Sequence, residues 1–415
     1  MNPVVSIDLG AAYTKIALRR KDSGVTELLA HDMLHLDEQH VCIPSVGAWN
    51  SRTNQWVFGV DAVDLQSGDG IFVYRNWKPL LFSHRGASFS QSEFATPTDA
   101  PSVQTMATEF FRWLRETFLP STLGLPIEGT PAARICIPDF AVGTPAAATL
   151  ESIIHEAGWC TRSSCCVSEP LASLTGAMSN GRNSIDLDES GDPFPVLSEI
   201  FGETEFANYW GSSSLGNTPY QVLVIDIGAY TADFGLVHLA AQCSDYFSLC
   251  KTSSQPLGIL ALDDMICEGL PDEKRTAIRN LSPTDRERMR QVVYSRGLPW
   301  RISNDMTLGM DAESKLVANC VESLAERIGD AVDQFLADQQ VSDVHEVVLS
   351  GGGNGIPRIV SHLTQRLEQR HVLGIHLSET DGYYGSAHPF PISQQVVRGA
   401  SAIGGASVLF DCRAA

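Results

Sequence analysis

Two stretches far apart in the chain share one hydrophobic pattern. Residues 4–18 read VVSIDLGAAYTKIAL and residues 222–236 read VLVIDIGAYTADFGL. Each is an apolar, β-branched run ending in Asp-x-Gly, then a turn of small residues holding Tyr-Thr, then a second alternating run; this predicts strand, tight turn, strand. Asp8 and Asp226 close the buried runs, where a carboxylate is costly unless donors or a cation meet it. Gly10 and Gly228 supply backbone that can curl and aim N–H groups outward.

Further strands are predicted at Ala133–Ile137, Cys165–Ser168 and Glu346–Leu349. A short helix is expected over Thr149–Ala157, stopped by Gly158, and another from Pro170 to about Met178. Between Lys315 and Phe335 the apolar positions Leu316, Cys320, Leu324, Ile328, Val332 and Phe335 recur at helical spacing and predict one long amphipathic helix. Strands alternating with helices imply an α/β fold. Residues 179–220 are rich in Gly, Ser, Asn, Pro and acidic residues and read as a surface insertion, although Phe194, Phe201, Phe206, Tyr209 and Trp210 also fit a docking segment. Residues 83–102 read as a loop of a smaller subdomain.

The chain has 415 residues, with 29 Lys+Arg against 49 Asp+Glu, a net charge of −20. That balance argues against nucleic acid or an anionic membrane as the main partner. The length fits two or three domains, and 43% hydrophobic residues can fill large cores. Asp8 interrupts the first apolar run, so no signal peptide is expected, and the reading is a cytoplasmic protein. The ten cysteines read as reduced thiols, Cys160, Cys165 and Cys166 among them, because their spacing matches no common zinc pattern. No G-x-S-x-G elbow supports a serine hydrolase.

The two Asp-x-Gly turns carry the candidate chemistry. Packed as two half-domains across a cleft, they would clamp a phosphate chain through N–H groups of Gly10, Ala11, Ala12, Gly228, Ala229 and Tyr230. Asp8 and Asp226 would face a divalent cation through waters. A third glycine-rich turn, Ser350-Gly351-Gly352-Gly353-Asn354-Gly355-Ile356-Pro357, opens a helix and suits close approach of a nucleoside.

These motifs resemble the actin, sugar kinase and heat shock protein 70 superfamily of ATPases, and the likeness runs over nearly the whole chain. The first phosphate loop is Ile7–Gly10, the second Ile225–Asp233, and the adenosine loop Ser350–Pro357. ICIPDF at 135–140, AGW at 157–159 and SEPLASLTGA at 168–177 are similar to segments of the heat shock protein 70 nucleotide-binding domain, and VVRGASAIGGA near the C-terminus resembles its second connecting helix. The resemblance implies a two-lobed actin-like ATPase fold of duplicated ribonuclease H-like cores with inserted smaller subdomains. It places lobe I at 1–178 with a subdomain over 39–112, the insertion at 179–220, lobe II at 221–390 with a helical subdomain over 256–342, and a returning helix on lobe I at 391–415.

The resemblance also implies ATP/ADP and Mg2+ as ligands and a protein partner for the closed state. Glu169 matches the glutamate near the attacking water, Asp233 the aspartate that helps orient it, Thr231 the hydroxyl near the γ-phosphate, and Asp8 and Asp226 the magnesium-shell aspartates. Tyr13, Gly351, Gly352, Gly353 and Ile356 fall in the nucleotide loops, and Glu287 and Arg290 resemble a ribose- and adenine-facing pair. Several positions depart from the pattern. Ala11-Ala12 replace a Thr-Thr pair, and Tyr230 replaces a glycine. Gly355 stands for an arginine and Ser393 for an aspartate. The lysine expected after a G-D-A-A pattern is missing from Gly59–Asp64, with Lys78 too far along to be assigned. Slow turnover or binding without turnover is therefore expected. No peptide-binding domain follows the last helix motif, so a nucleotide-controlled switch is the first reading; an actin-like filament protein, a phosphotransferase and a pseudo-ATPase scaffold are the alternatives.

Overall fold

The computed structural model describes residues 3–20, 26–29, 31–32, 39–40, 42–82, 100–123, 132–138, 141–160, 165–179, 220–239, 247–303, 305–341, 344–369, 374–377 and 394–407. The fold is mixed α/β and divides into two compact units, residues 1–172 with 401–415, and residues 173–400. Both passages of the chain from unit to unit fall inside helices, Glu169–Ser179 and Gln394–Gly405. The sequence reading put these boundaries slightly later in the first case and earlier in the second, because it looked for loops. Most of the 179–220 insertion, most of 83–102, and Ser393 lie outside the described residues.

In the first unit the principal strands are β1 (Val4–Leu9), β2 (Tyr13–Arg19), β3 (Thr26–Leu28) and β4 (Ile43–Pro44), then β5 (Gly47–Asn50), β6 (Gln55–Phe58) and β7 (Ile71–Tyr74), then β8 (Ala132–Ile137) and β9 (Cys166–Ser168). The main sheet has the order β3-β2-β1-β8-β9, with β4 also on β2. β1 runs antiparallel to β2 and parallel to β8, and β8 runs parallel to β9. Every residue of β1 is buried, which explains an unbroken apolar run where a half-exposed strand would alternate. A smaller sheet, β6-β5-β7, falls within the segment expected to form a subdomain.

The helices of this unit are α1 (Lys78–Phe82), α2 (Val103–Trp113) and α3 (Pro145–Glu156), with α4 (Glu169–Ser179) beginning at its edge. α2 starts where the Ser102 side chain accepts from the Thr105 amide at 3.1 Å, and its buried Met106, Phe110 and Phe111 face the core. α3 begins four residues before the predicted start at Thr149, because Pro145 sets the first turn while the alanines at 146–148 add no apolar periodicity. The core is aromatic: Trp77 meets Phe110 edge-on at 5.4 Å, and Phe58 meets Phe110 at 5.8 Å.

In the second unit the strands are β10 (Tyr220–Ile227), β11 (Ala232–Leu239), β12 (Phe247–Gln255), β13 (Glu346–Ser350) and β14 (Gly374–Leu377). Their order is β12-β11-β10-β13-β14, with the first two pairings antiparallel and the last two parallel. This is the first unit's arrangement again: the repeated motif supplies the central strand and its antiparallel neighbour in each sheet. The helices are α5 (Ile259–Glu268), α6 (Asp272–Arg279), α7 (Pro283–Met289), α8 (Ala312–Asp338), α9 (Pro357–Glu368) and α10 (Gln394–Gly405). α8 spans 27 residues and contains the predicted 315–335 segment, burying Val317, Leu324, Ile328, Val332 and Phe335 along one face.

The last described residues belong to the first unit. There the Cys136 thiol donates to the Ser401 carbonyl at 3.1 Å, and Arg134 donates to the carbonyls of Gly405 and Ser407 at 3.2 and 2.7 Å. Among the described residues no helix is long and apolar enough to cross a membrane.

Candidate functional site

The first turn joins β1 to β2, in a register that sets Asp8 opposite Lys15. A side chain on Gly10 would collide with the carbonyl of Tyr13, so the turn is open only to glycine. The buried Ser45 fixes the turn from outside: its amide donates to the Ala12 carbonyl at 2.9 Å and its hydroxyl to the Gly10 carbonyl at 2.8 Å. Thr14 shares that hydroxyl at 2.9 Å. With the carbonyls engaged on one side, the amides of Ala11 and Ala12 donate to no group among the described residues. This is the outward-facing N–H arrangement that the sequence predicts for an anion site.

Sequence reasoning missed Ser45 and set Lys78 aside. Lys78 forms an ion pair with Glu169, with the two side chains only 12% and 11% exposed. The distance along the chain misled because β7 and its turns separate Gly59–Asp64 from α1. Trp77, next to Lys78 and 1% exposed, donates its indole N–H to the Ser45 carbonyl at 2.9 Å. One fixed point therefore places both the first turn and the ammonium facing Glu169. Glu169 opens α4, where its charge also suits the helix dipole.

Lys15 bonds to Asp8 at 2.9 Å, with side-chain exposures of 17% and 9%. In the neighbouring strand burial pushes the Cys136 thiol up, Asp8 and Glu169 push it further, and Lys78 pulls it down. The hydrogen bond with Cys165, then burial, likewise hold the Cys166 thiol up. Glu151, Cys165 and Cys166 have potential ligand atoms within 4.8 Å of one another, yet protonated thiols are poor metal ligands, in keeping with the buried-thiol reading.

The second turn, in the second unit, joins β10 to β11 and sets Asp226 opposite Asp233. The first amides of α5 take its carbonyls: Gly258 donates to Tyr230 at 3.0 Å, Ile259 to Gly228 at 3.1 Å and Leu260 to Ala229 at 2.9 Å. A Cβ on Gly258 would press on the Ala229–Tyr230 peptide, so this glycine, which the sequence reading did not single out, permits the approach. The Thr231 hydroxyl donates to Asp233 at 2.7 Å, joining two of the expected site residues. Asp226 accepts from the Ser350 and Ser173 hydroxyls at 2.8 and 3.2 Å.

The third turn packs directly on the second. Gly351 has φ +89°, and a Cβ there would lie 2.5 Å from a carboxylate oxygen of Asp226 and 2.6 Å from the Ile227 carbonyl. Gly353 presses on the Ile227 side chain, whereas Gly352 and Gly355 border open space. Ile356 is buried in the core. Glu287 and Arg290 lie on one helical face, with Arg290 held chiefly by Asp263: its Nε stands 3.2 Å from both carboxylate oxygens, and Tyr294 donates to the same carboxylate at 2.9 Å. Glu287 is a looser partner at 3.4 Å. Asp263, another residue without a sequence signal, therefore decides where this guanidinium points.

Magnesium at Asp8 and Asp226 fits the two turns unequally. Asp226, an acceptor steadied by two hydroxyls, suits a hard cation's water shell. Asp8 is bonded to an ammonium and does not. No protein-family model matches the chain, and no curated protein matches it.

Proposed function

We propose that the chain is an ATP-binding protein of the actin and heat shock protein 70 class, a slow ATPase that acts as a nucleotide-controlled switch for a protein partner. The observation that carries this reading is the duplication. Two sheets of one strand order each place an Asp-x-Gly turn after the central strand, and a turn of that kind presents amides suited to phosphate oxygens. The order is that of a ribonuclease H-like core, and two such cores define the actin-like architecture. The third turn adds a side-chain-free surface at Gly352 and Gly355 for the nucleoside.

The Lys78–Glu169 pair favours turnover over a pure scaffold. Glu169 would hold a water by accepting its proton, and Lys78 would neutralise charge that develops on the transferred phosphoryl group. Thr231 and Asp233, already bonded to each other, would orient the same groups from the second turn. When bound, magnesium supplies charge neutralisation at the phosphates.

Calorimetric titration of ATP and ADP, with phosphate release measured on the same sample, tests the reading. Binding of both nucleotides with slow release supports it, and absence of nucleotide binding in every buffer would end it.

A further inference from the structure

We infer that Lys15 is the resident cation of the first turn: its ammonium does there what a divalent ion was expected to do, and Asp8 positions that ammonium instead of serving a metal's water shell. This rests on the nucleotide reading above. The repeat itself supplies the comparison. In each unit the residue seven places after the strand-end aspartate lies directly opposite it, Lys15 opposite Asp8 and Asp233 opposite Asp226. The two turns are thus built on one plan with the charge reversed at one position. The second turn sets two carboxylates face to face, the arrangement that calls for a cation, whereas the first sets a carboxylate against an ammonium.

The geometry puts the ammonium at the turn. Lys15 Nζ is 2.9 Å from Asp8 Oδ2 and 3.5 Å from the place a Cβ on Gly10 would occupy. It thus stands beside the backbone whose Ala11 and Ala12 amides point away from the Ser45-bound carbonyls. The alanines offer no hydroxyls, so a charged donor from β2 makes up the polar surface that the turn lacks. A divalent ion drawn to Asp8 would also meet the positive charge of Lys15 at close range and the nearby field of Lys78, and both repel it. A phosphate oxygen meets the opposite situation: Lys15 has further donor hydrogens besides the one given to Asp8, and a charge-assisted bond to phosphate is a strong one.

The test is calorimetric titration of ATP into the full chain, in magnesium and again in EDTA, for the wild type, Lys15→Met, Asp8→Asn and the double variant. Lys15→Met is expected to weaken ATP about 10- to 100-fold in both buffers alike, as for loss of a hydrogen bond to a charged group. Asp8→Asn is expected to leave the ratio of affinities with and without magnesium unchanged. The double variant, which leaves neither charge buried alone, keeps the comparison valid if Lys15→Met folds poorly, and it should show the same loss in both buffers. Lys15→Arg, with the charge kept, should recover part of the binding. An Asp8→Asn variant that loses affinity only in magnesium, or a Lys15→Met variant that binds ATP as the wild type does, would overturn the inference and leave the nucleotide reading standing. A wild type that binds no ATP in either buffer would overturn both.

Discussion

Gly351 and Gly352 are adjacent and chemically identical, yet they face different constraints. A side chain at Gly351 would strike Asp226 from a backbone at φ +89°, so Gly351→Val should destabilise the chain by about 1–3 kcal/mol in urea unfolding. Gly352 borders open space, so Gly352→Val should leave Tm unchanged and abolish ATP binding; a variant that still binds would move the nucleoside elsewhere. Lys78→Met should reduce phosphate release about 100-fold or more while ATP affinity falls less, a split that a merely structural ion pair would not give. His238 carries the pH dependence. Burial lowers its pKa from 6.5, and the Gln221 amide at 3.1 Å can donate only to the neutral ring. The folded chain therefore binds this proton less readily than the unfolded chain, and the associated stability, present above pH 6.5, is lost as pH falls. Tm should drop between pH 7.5 and 5.5, and His238→Gln should flatten that drop.

At the scale of elements, the sequence was informative wherever one residue type answers to one local demand. Strand, Asp-x-Gly turn and strand follow from an apolar run stopped by a carboxylate, and α8 follows from its periodicity. The start of α3 was missed because alanine marks no face. The residues that complete the candidate site were hidden for a different reason: Ser45, Lys78 and Asp263 act on partners far away in sequence, through contacts that no local spacing encodes. α2 is the element on which the first unit's placement of Lys78 depends, since Trp77 packs on Phe110. Phe110→Ala should cost about 3–5 kcal/mol of stability in urea unfolding.

At the scale of the whole molecule, the duplication was legible from the two repeated motifs, and the matching strand orders bear it out at the level of topology. The return of the chain to its first unit was expected from the resemblance, and the bonds from Arg134 and Cys136 to residues 401–407 account for it physically. Cys136 has 0% exposure in the intact chain. A chain cut after residue 400 should therefore expose the Cys136 thiol to reagent, with a rate of modification well above that of the full chain, while the second unit keeps its own cooperative unfolding.

The three amides that α5 donates to the second turn have a practical consequence. Gly258, Ile259 and Leu260 can trade their protons with water only when the turn lets go of them. Their hydrogen exchange is thus a gauge, built into the backbone and needing no label, of how often that turn opens. Slower exchange at these three positions on adding ATP would report occupancy from inside the protein, one amide for each carbonyl of the turn.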